Sequence, residues 1–131
     1  MTDTDRSRIL AVEDNPDTQT LLRYLLRPRY DVHLVPHVEE ALTAAGEVAY
    51  DLFVLDINLG EQRTGIDLLH RLRAMDAHRT TPALALTAYA MPGDRDRFLR
   101  EGFDAYVSKP FTRNELLEAI EVLLLSTTQR D

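Results

Sequence analysis

The chain has 131 residues, 44% of them hydrophobic, with no cysteine and a formal net charge of −7. This is one ordinary domain with enough apolar side chains for a single packed core, and it excludes a disulfide framework, a thiolate metal site and a cysteine nucleophile. The acidic balance argues against direct nucleic-acid binding, no apolar run approaches a membrane span, and Met1 to Arg8 lacks the apolar stretch of a secretory signal, so a cytoplasmic protein is expected.

The apolar residues alternate between short runs and helical stripes. Ile9-Leu10-Ala11-Val12 reads as a strand ending at acidic residues. Asn15 can cap the next helix and Pro16 suits its first turn. Leu21, Leu22, Leu25 and Leu26 form its stripe, and Pro28 ends it. Val32 to Val35 reads as a strand, with His33 its least typical member. Val38, Ala41, Leu42 and Ala45 follow at helical spacing, with Gly46 as a stop. Leu52-Phe53-Val54-Leu55 is a wholly apolar strand ending at Asp56. Thr64 and Gly65 open a helix with Leu68, Leu69, Leu72 and Met75 inward. Ala83 to Leu86 is another buried strand, ending at Thr87. A polar helix over 94–101 has only Phe98 and Leu99 as strong apolar anchors. Ala105-Tyr106-Val107 is the last strand. Thr112 and Glu115 make a capping-box pattern before a helix bearing Leu116, Ile120, Leu123 and Leu124. Leu117 and Leu124 either widen that helix's apolar face toward a dimer contact or lie in the core.

Strand then helix, five times over, predicts an α/β domain with a parallel sheet. Strands buried on both faces read as continuous apolar runs, as these do. The doubly wound, flavodoxin-like order 2-1-3-4-5, with helices on both faces, suits a five-stranded chain. Ligands then bind beyond the carboxyl ends of the strands, between the first and third. The domain is expected over 8–125, with flexible ends at 1–7 and 126–131.

The polar residues at those strand ends are Glu13 and Asp14, Asp56, Thr87, and the run Ser108-Lys109-Pro110. Taken singly each has an ordinary explanation: a helix cap, a turn residue, a half-buried strand threonine, a solvated lysine. Their joint occurrence at equivalent ends of separate strands favours one site. Three crowded carboxylates repel unless a cation neutralises them, and hard oxygen donors suit Mg²⁺, with Mn²⁺ as a substitute. A carboxylate can attack phosphorus and form an aspartyl phosphate. That transition state needs a metal, a lysine and hydroxyl or amide donors around its equatorial oxygens. In this reading Asp56 is the nucleophile. Glu13 and Asp14 hold the metal with Asp56 and the backbone carbonyl of Asn58. Thr87 and Lys109 contact the phosphoryl oxygens.

The segments Ile-Leu-Ala-Val-Glu-Asp-Asn (9–15), Leu-Asp-Ile-Asn (55–58), Ala-Leu-Thr-Ala-Tyr-Ala (85–90) and Tyr-Val-Ser-Lys-Pro-Phe (106–111) resemble the receiver domain of two-component response regulators, over nearly the whole chain. Each is weakly specific alone; their order and spacing together are highly specific. The resemblance implies that Asp56 is the phosphoacceptor and Glu13 and Asp14 the acidic metal pair. It implies phosphate contacts from Thr87, Lys109 and the backbone of Ala88, and a cis bond between Lys109 and Pro110. It also implies a switch in which the Thr87 hydroxyl moves toward the phosphoryl group and the Tyr106 ring moves inward behind it. The donor would be a histidine kinase or a histidine phosphotransfer protein. Output would be protein contact by a stand-alone, chemotaxis-regulator-like switch, monomeric or dimerising on phosphorylation. Onward transfer in a phosphorelay is the alternative.

Two features depart from the family pattern. Glu13 stands where aspartate is frequent, which makes its metal contact less direct than that of Asp14. After Asp56, many receivers carry Met-Pro and a nearby glycine. Here Leu59-Gly60 takes that place, and Glu61-Gln62-Arg63-Thr64 sets Gly65 one residue later. An atypical phosphoryl lifetime is expected from that loop, with Asn58 and Tyr89 as residues tuning hydrolysis. Other functions on similar chemistry or topology fit less well. A haloacid-dehalogenase-like phosphatase would need a second acid two residues after Asp56, where Asn58 stands. Flavin binding would need a hydroxyl- and glycine-rich loop after the first strand. An unphosphorylated interaction module would not need the full residue set.

Overall fold

The computed structural model describes residues 6–58, 64–88 and 92–129. Strands and helices alternate: β1 (Arg8–Val12), α1 (Pro16–Leu26), β2 (Asp31–Val35), α2 (Val38–Glu47), β3 (Leu52–Asp56), α3 (Gly65–Arg73), β4 (Ala83–Thr87), α4 (Asp94–Arg100), β5 (Ala105–Ser108) and α5 (Arg113–Gln129), with a short 3-10 helix over Asp76–His78. The strands form one parallel sheet in the order β2-β1-β3-β4-β5, as the sequence predicts. Ile9 sits opposite both Val32 and Leu52, and Leu84 opposite both Val54 and Ala105.

Successive strand side chains point to opposite faces of the sheet, so the apolar strands feed two cores. Leu10, Val12, Phe53, Leu55 and Ala85 join Ala41, Leu68, Leu72 and Phe98 on one face. Ile9, Ala11, Leu52, Val54 and Leu86 join Leu22, Leu26, Leu116 and Ile120 on the other. Thus α2, α3 and α4 cover one face while α1 and α5 cover the other.

Side-chain caps start α1, α3 and α5 where the sequence places them. Asn15 Oδ1 accepts from the Thr18 amide at 3.0 Å, with Pro16 in the first turn. Thr64 Oγ1 accepts from the Asp67 amide at 3.2 Å. Thr112 and Glu115 exchange both capping-box bonds, at 2.9 and 3.1 Å, satisfying amides that a helix start leaves without partners.

Other features differ from expectation. Leu21 is 42% exposed and Leu99 37% exposed, although both belong to predicted apolar stripes. Each lies one residue beside the true anchor, Leu22 or Phe98, and about 100° further round its helix. Gly46 does not stop α2, which runs through Glu47; the Val48 amide bonds to the Ala44 carbonyl and the chain leaves extended. Leu117 is buried and Leu124 packs against the same core, so neither widens an outer face of α5. That helix continues past residue 125 to Gln129. Among the described residues no helix is long and apolar enough to cross a membrane.

Arg73 ties the far side together. Its Nη1 donates to the carbonyls of Thr81 and His78, and its Nη2 to the Gly102 carbonyl at 3.1 Å and Asp104 Oδ2 at 3.4 Å. Gly102 holds φ of +115°, a conformation open to glycine, which turns the chain from α4 toward β5.

Candidate functional site

Parallel strands bring their carboxyl ends to one edge. There β1 runs into Glu13 and Asp14, β3 ends in Asp56, β4 in Thr87, and Lys109 follows β5. Three of these polar residues are deeply buried: Glu13 is 0%, Thr87 1% and Asp56 4% exposed. Buried charges need partners, and these have them. Lys109 Nζ donates to Glu13 Oε1 at 2.8 Å and to Asp56 Oδ2 at 3.1 Å. Glu13 Oε2 accepts from the Asn15 amide at 3.0 Å, and Asp56 Oδ1 from the Asn58 amide at 3.0 Å.

The electrostatics follow from this packing. Burial pushes the Glu13 carboxyl above its ordinary range, partly offset by the Lys109 bond and the Asn15 amide. Burial alone would pull the Lys109 ammonium down, but its bonds and charge interactions with Glu13 and Asp56 win and leave it raised. The lysine approaches from fixed backbone. Its amide donates to the Thr87 carbonyl at 2.7 Å, and the Lys109–Pro110 bond is cis, as the resemblance implies.

Glu13, Asp14 and Asp56 each place a carboxylate oxygen within 4.8 Å of the other two. Three carboxylates against one ammonium leave two negative charges to be balanced. An all-oxygen, doubly negative cluster suits a hard divalent cation such as Mg²⁺. The residues present therefore fit a metal, with Asp14 on the solvent side and Asp56 within.

The remaining predicted residues lie around this group. Asn58 follows Asp56 on the exposed side and forms an isolated antiparallel bridge with Thr64. Ala88 continues from Thr87 at the same edge. Tyr106 is half-buried on β5, its ring centroid 6.0 Å from that of Phe98 on α4. Tyr89 and the segment 59–63 lie outside the described residues.

Three contributors escaped the sequence reading of the site. Asn15 was legible as a cap, yet its amide also holds Glu13. Gln19 Nε2 donates to the Glu13 carbonyl at 2.6 Å, and its only signal is its place one turn after Asn15. Gly65 packs against the end of β3: its amide donates to the Ile57 carbonyl at 2.9 Å, and a Cβ there would strike the Asp56 carbonyl oxygen. A glycine opening a helix just after an acidic strand end is the trace it leaves.

A doubly wound sheet carrying a carboxylate trio and a lysine at its switch point defines the class of receiver-like signalling folds. The family model for the response regulator receiver domain matches residues 9–121, and the chain belongs to that family. It is 38% identical over 119 residues to an uncharacterized 14.6 kDa protein of Leptolyngbya boryana, covering 90% of each. It is 35% identical to the polar-differentiation response regulator DivK of Brucella anthropi, covering 88% of this chain and 94% of DivK. Among solved structures, the receiver domain of the sensor histidine kinase PA1611 from Pseudomonas aeruginosa was obtained with magnesium coordinated in its active-site cleft. It is 36% identical with a TM-score of 0.82, covering 91% of this chain and 98% of that one. A CheY-like receiver protein of Methanospirillum hungatei matches with a TM-score of 0.86 at 25% identity, covering 97% and 100%.

Proposed function

We propose that the protein is a cytoplasmic signalling switch that accepts a phosphoryl group on Asp56 from a phosphohistidine. The observation that carries this reading is the Lys109 ammonium bridging Glu13 and Asp56 in a cluster that Asp14 completes. The donor is a histidine kinase or histidine phosphotransfer protein. An Asp56 carboxylate oxygen forms the new P–O bond as the histidine N–P bond breaks. The imidazole nitrogen keeps that electron pair and takes up a proton. Lys109, already 3.1 Å from Asp56 Oδ2, is placed to pair with a phosphoryl oxygen. The Thr87 hydroxyl and the Ala88 amide supply further donors where charge develops. Glu13, Asp14, Asp56 and the Asn58 carbonyl are the residues that would hold Mg²⁺, which when bound neutralises the carboxylates and the phosphoryl oxygens.

Phosphorylation adds charge and acceptor oxygens at the end of β3 and β4. Thr87 moving toward them vacates space behind it for Tyr106, whose contact with Phe98 links β5 to α4. The output is an altered protein-binding surface over α4, β5 and α5. Onward phosphoryl transfer is the second reading, favoured by likeness to the receiver of a sensor kinase at 36% identity. The test is intact-mass analysis after incubation with acetyl phosphate and Mg²⁺. Wild type should gain one phosphoryl group and Asp56→Asn none; two unmodified proteins would sink the reading.

A further inference from the structure

A polar cavity lies away from the Asp56 edge, between the end of α1 and the edge strand β2. It encloses about 400 Å³ and is walled by Arg6, Arg23 and Arg27, with Tyr30, Val32 and Leu34 beside them. Three guanidinium groups on one cavity stand out in a chain of net charge −7. Like charges gathered without a counter-charge repel one another. Asp31 also lines the cavity; its carboxylate pairs with Arg8 Nε at 3.7 Å, and with His33 Nε2 at 3.6 Å when that imidazole is protonated, which leaves one carboxylate against three arginines. Arg6 donates to the Arg27 carbonyl at 2.9 Å, which anchors the segment ahead of β1 over the end of α1. Among the described residues the guanidinium groups of Arg23 and Arg27 meet no carboxylate within ion-pair distance. Arg23 lies in the last turn of α1 and Arg27 is the residue that caps it, four positions on and so on the same side.

We propose that this cavity binds a phosphorylated small molecule of nucleotide type, independently of the Asp56 site. Arginine forks suit phosphate oxygens because they pair with them bidentately. The volume exceeds what an inorganic phosphate needs and falls in the range of small-molecule sites. Beside the arginines, Val32, Leu34 and Tyr30 give the cavity's mainly polar lining a smaller apolar and aromatic part for the rest of the ligand. Its place beside β2 leaves Asp56 free to be phosphorylated while it is filled.

The test uses the full chain carrying Asp56→Asn, in EDTA, so that the acidic site contributes nothing. Binding of ATP, GTP and inorganic pyrophosphate is measured by calorimetry, alongside sedimentation with phosphatidylglycerol vesicles. A nucleotide should bind more tightly than pyrophosphate. Arg23→Gln and Arg27→Gln should each weaken it about tenfold, the scale of one charge-assisted hydrogen bond, with circular dichroism and urea midpoint unchanged. No binding of either nucleotide, equal binding by the variants, or capture by vesicles with no nucleotide bound would each overturn the proposal.

Discussion

Glu13 is fully buried yet sits 2.8 Å from an ammonium, and that pairing makes the site sensitive to pH. Burial raises the Glu13 carboxyl above 4.5, with the Lys109 bond and the Asn15 amide pulling it back. Lys109 is drawn down by burial but held above 10.5 by Glu13 and Asp56. A raised lysine contributes its stability in full below 10.5 and loses it as pH rises through the folded value. A raised glutamate costs stability as pH rises from 4.5 through its own folded value. Lys109→Met should therefore destabilise the metal-free protein most between those two windows. The loss should be about 2 kcal/mol, below the full buried-pair penalty because the ammonium reaches solvent. Urea midpoints measured across pH should show the gap narrowing in acid, where a neutral Glu13 no longer needs its cation. A gap independent of pH would contradict this balance. Gly65→Ala tests the packing behind Asp56: overpacking there should cost about 1–3 kcal/mol and slow labelling by acetyl phosphate, whereas wild-type values for both would remove the positioning role. Most site residues were readable because their types and strand-end positions carry the chemistry. Gly65 and Gln19 were not, since one acts by lacking a side chain and the other through a backbone carbonyl.

At the scale of elements, α4 is the most weakly held helix by its anchors. Phe98 is its one buried side chain, whereas α5 buries Leu116, Leu117, Ile120 and Leu123. Few buried apolar contacts mean a low cost of local opening. Amide hydrogen exchange should therefore be at least about tenfold faster in Asp94–Arg100 than in the buried turns of α5, and equal protection would contradict a movable α4. The sequence showed that α4 is polar, but not that Leu99 faces outward. Helical spacing marks the centre of an apolar stripe and leaves its width to the neighbouring elements. Leu21 on α1 went astray for the same reason. Gly46 looked like a stop because glycine often ends helices, yet the helix continued one residue further and ended without a left-handed turn.

For the molecule as a whole, the strand order was legible because five apolar runs alternating with helical stripes leave few right-handed parallel topologies. The division into two cores follows from the same alternation, as Leu10 and Ile9 illustrate on opposite faces of β1. Arg73, which joins α3 to the turns before β4 and β5, had no local signature, since its partners are mostly backbone carbonyls, which every residue type carries. Parallel topology is also what converts separate residues into a site, by bringing Glu13, Asp14, Asp56, Thr87 and Lys109 to one edge. The central assignment is that Asp56 is the carboxylate that takes the phosphoryl group. Borohydride reduction of the acetyl-phosphate-treated protein converts an acyl phosphate to the alcohol, and peptide mass spectrometry then locates it. Reduction at residue 56 alone is the predicted result; reduction at Glu13 or Asp14, or at no residue despite phosphoryl uptake, would contradict it.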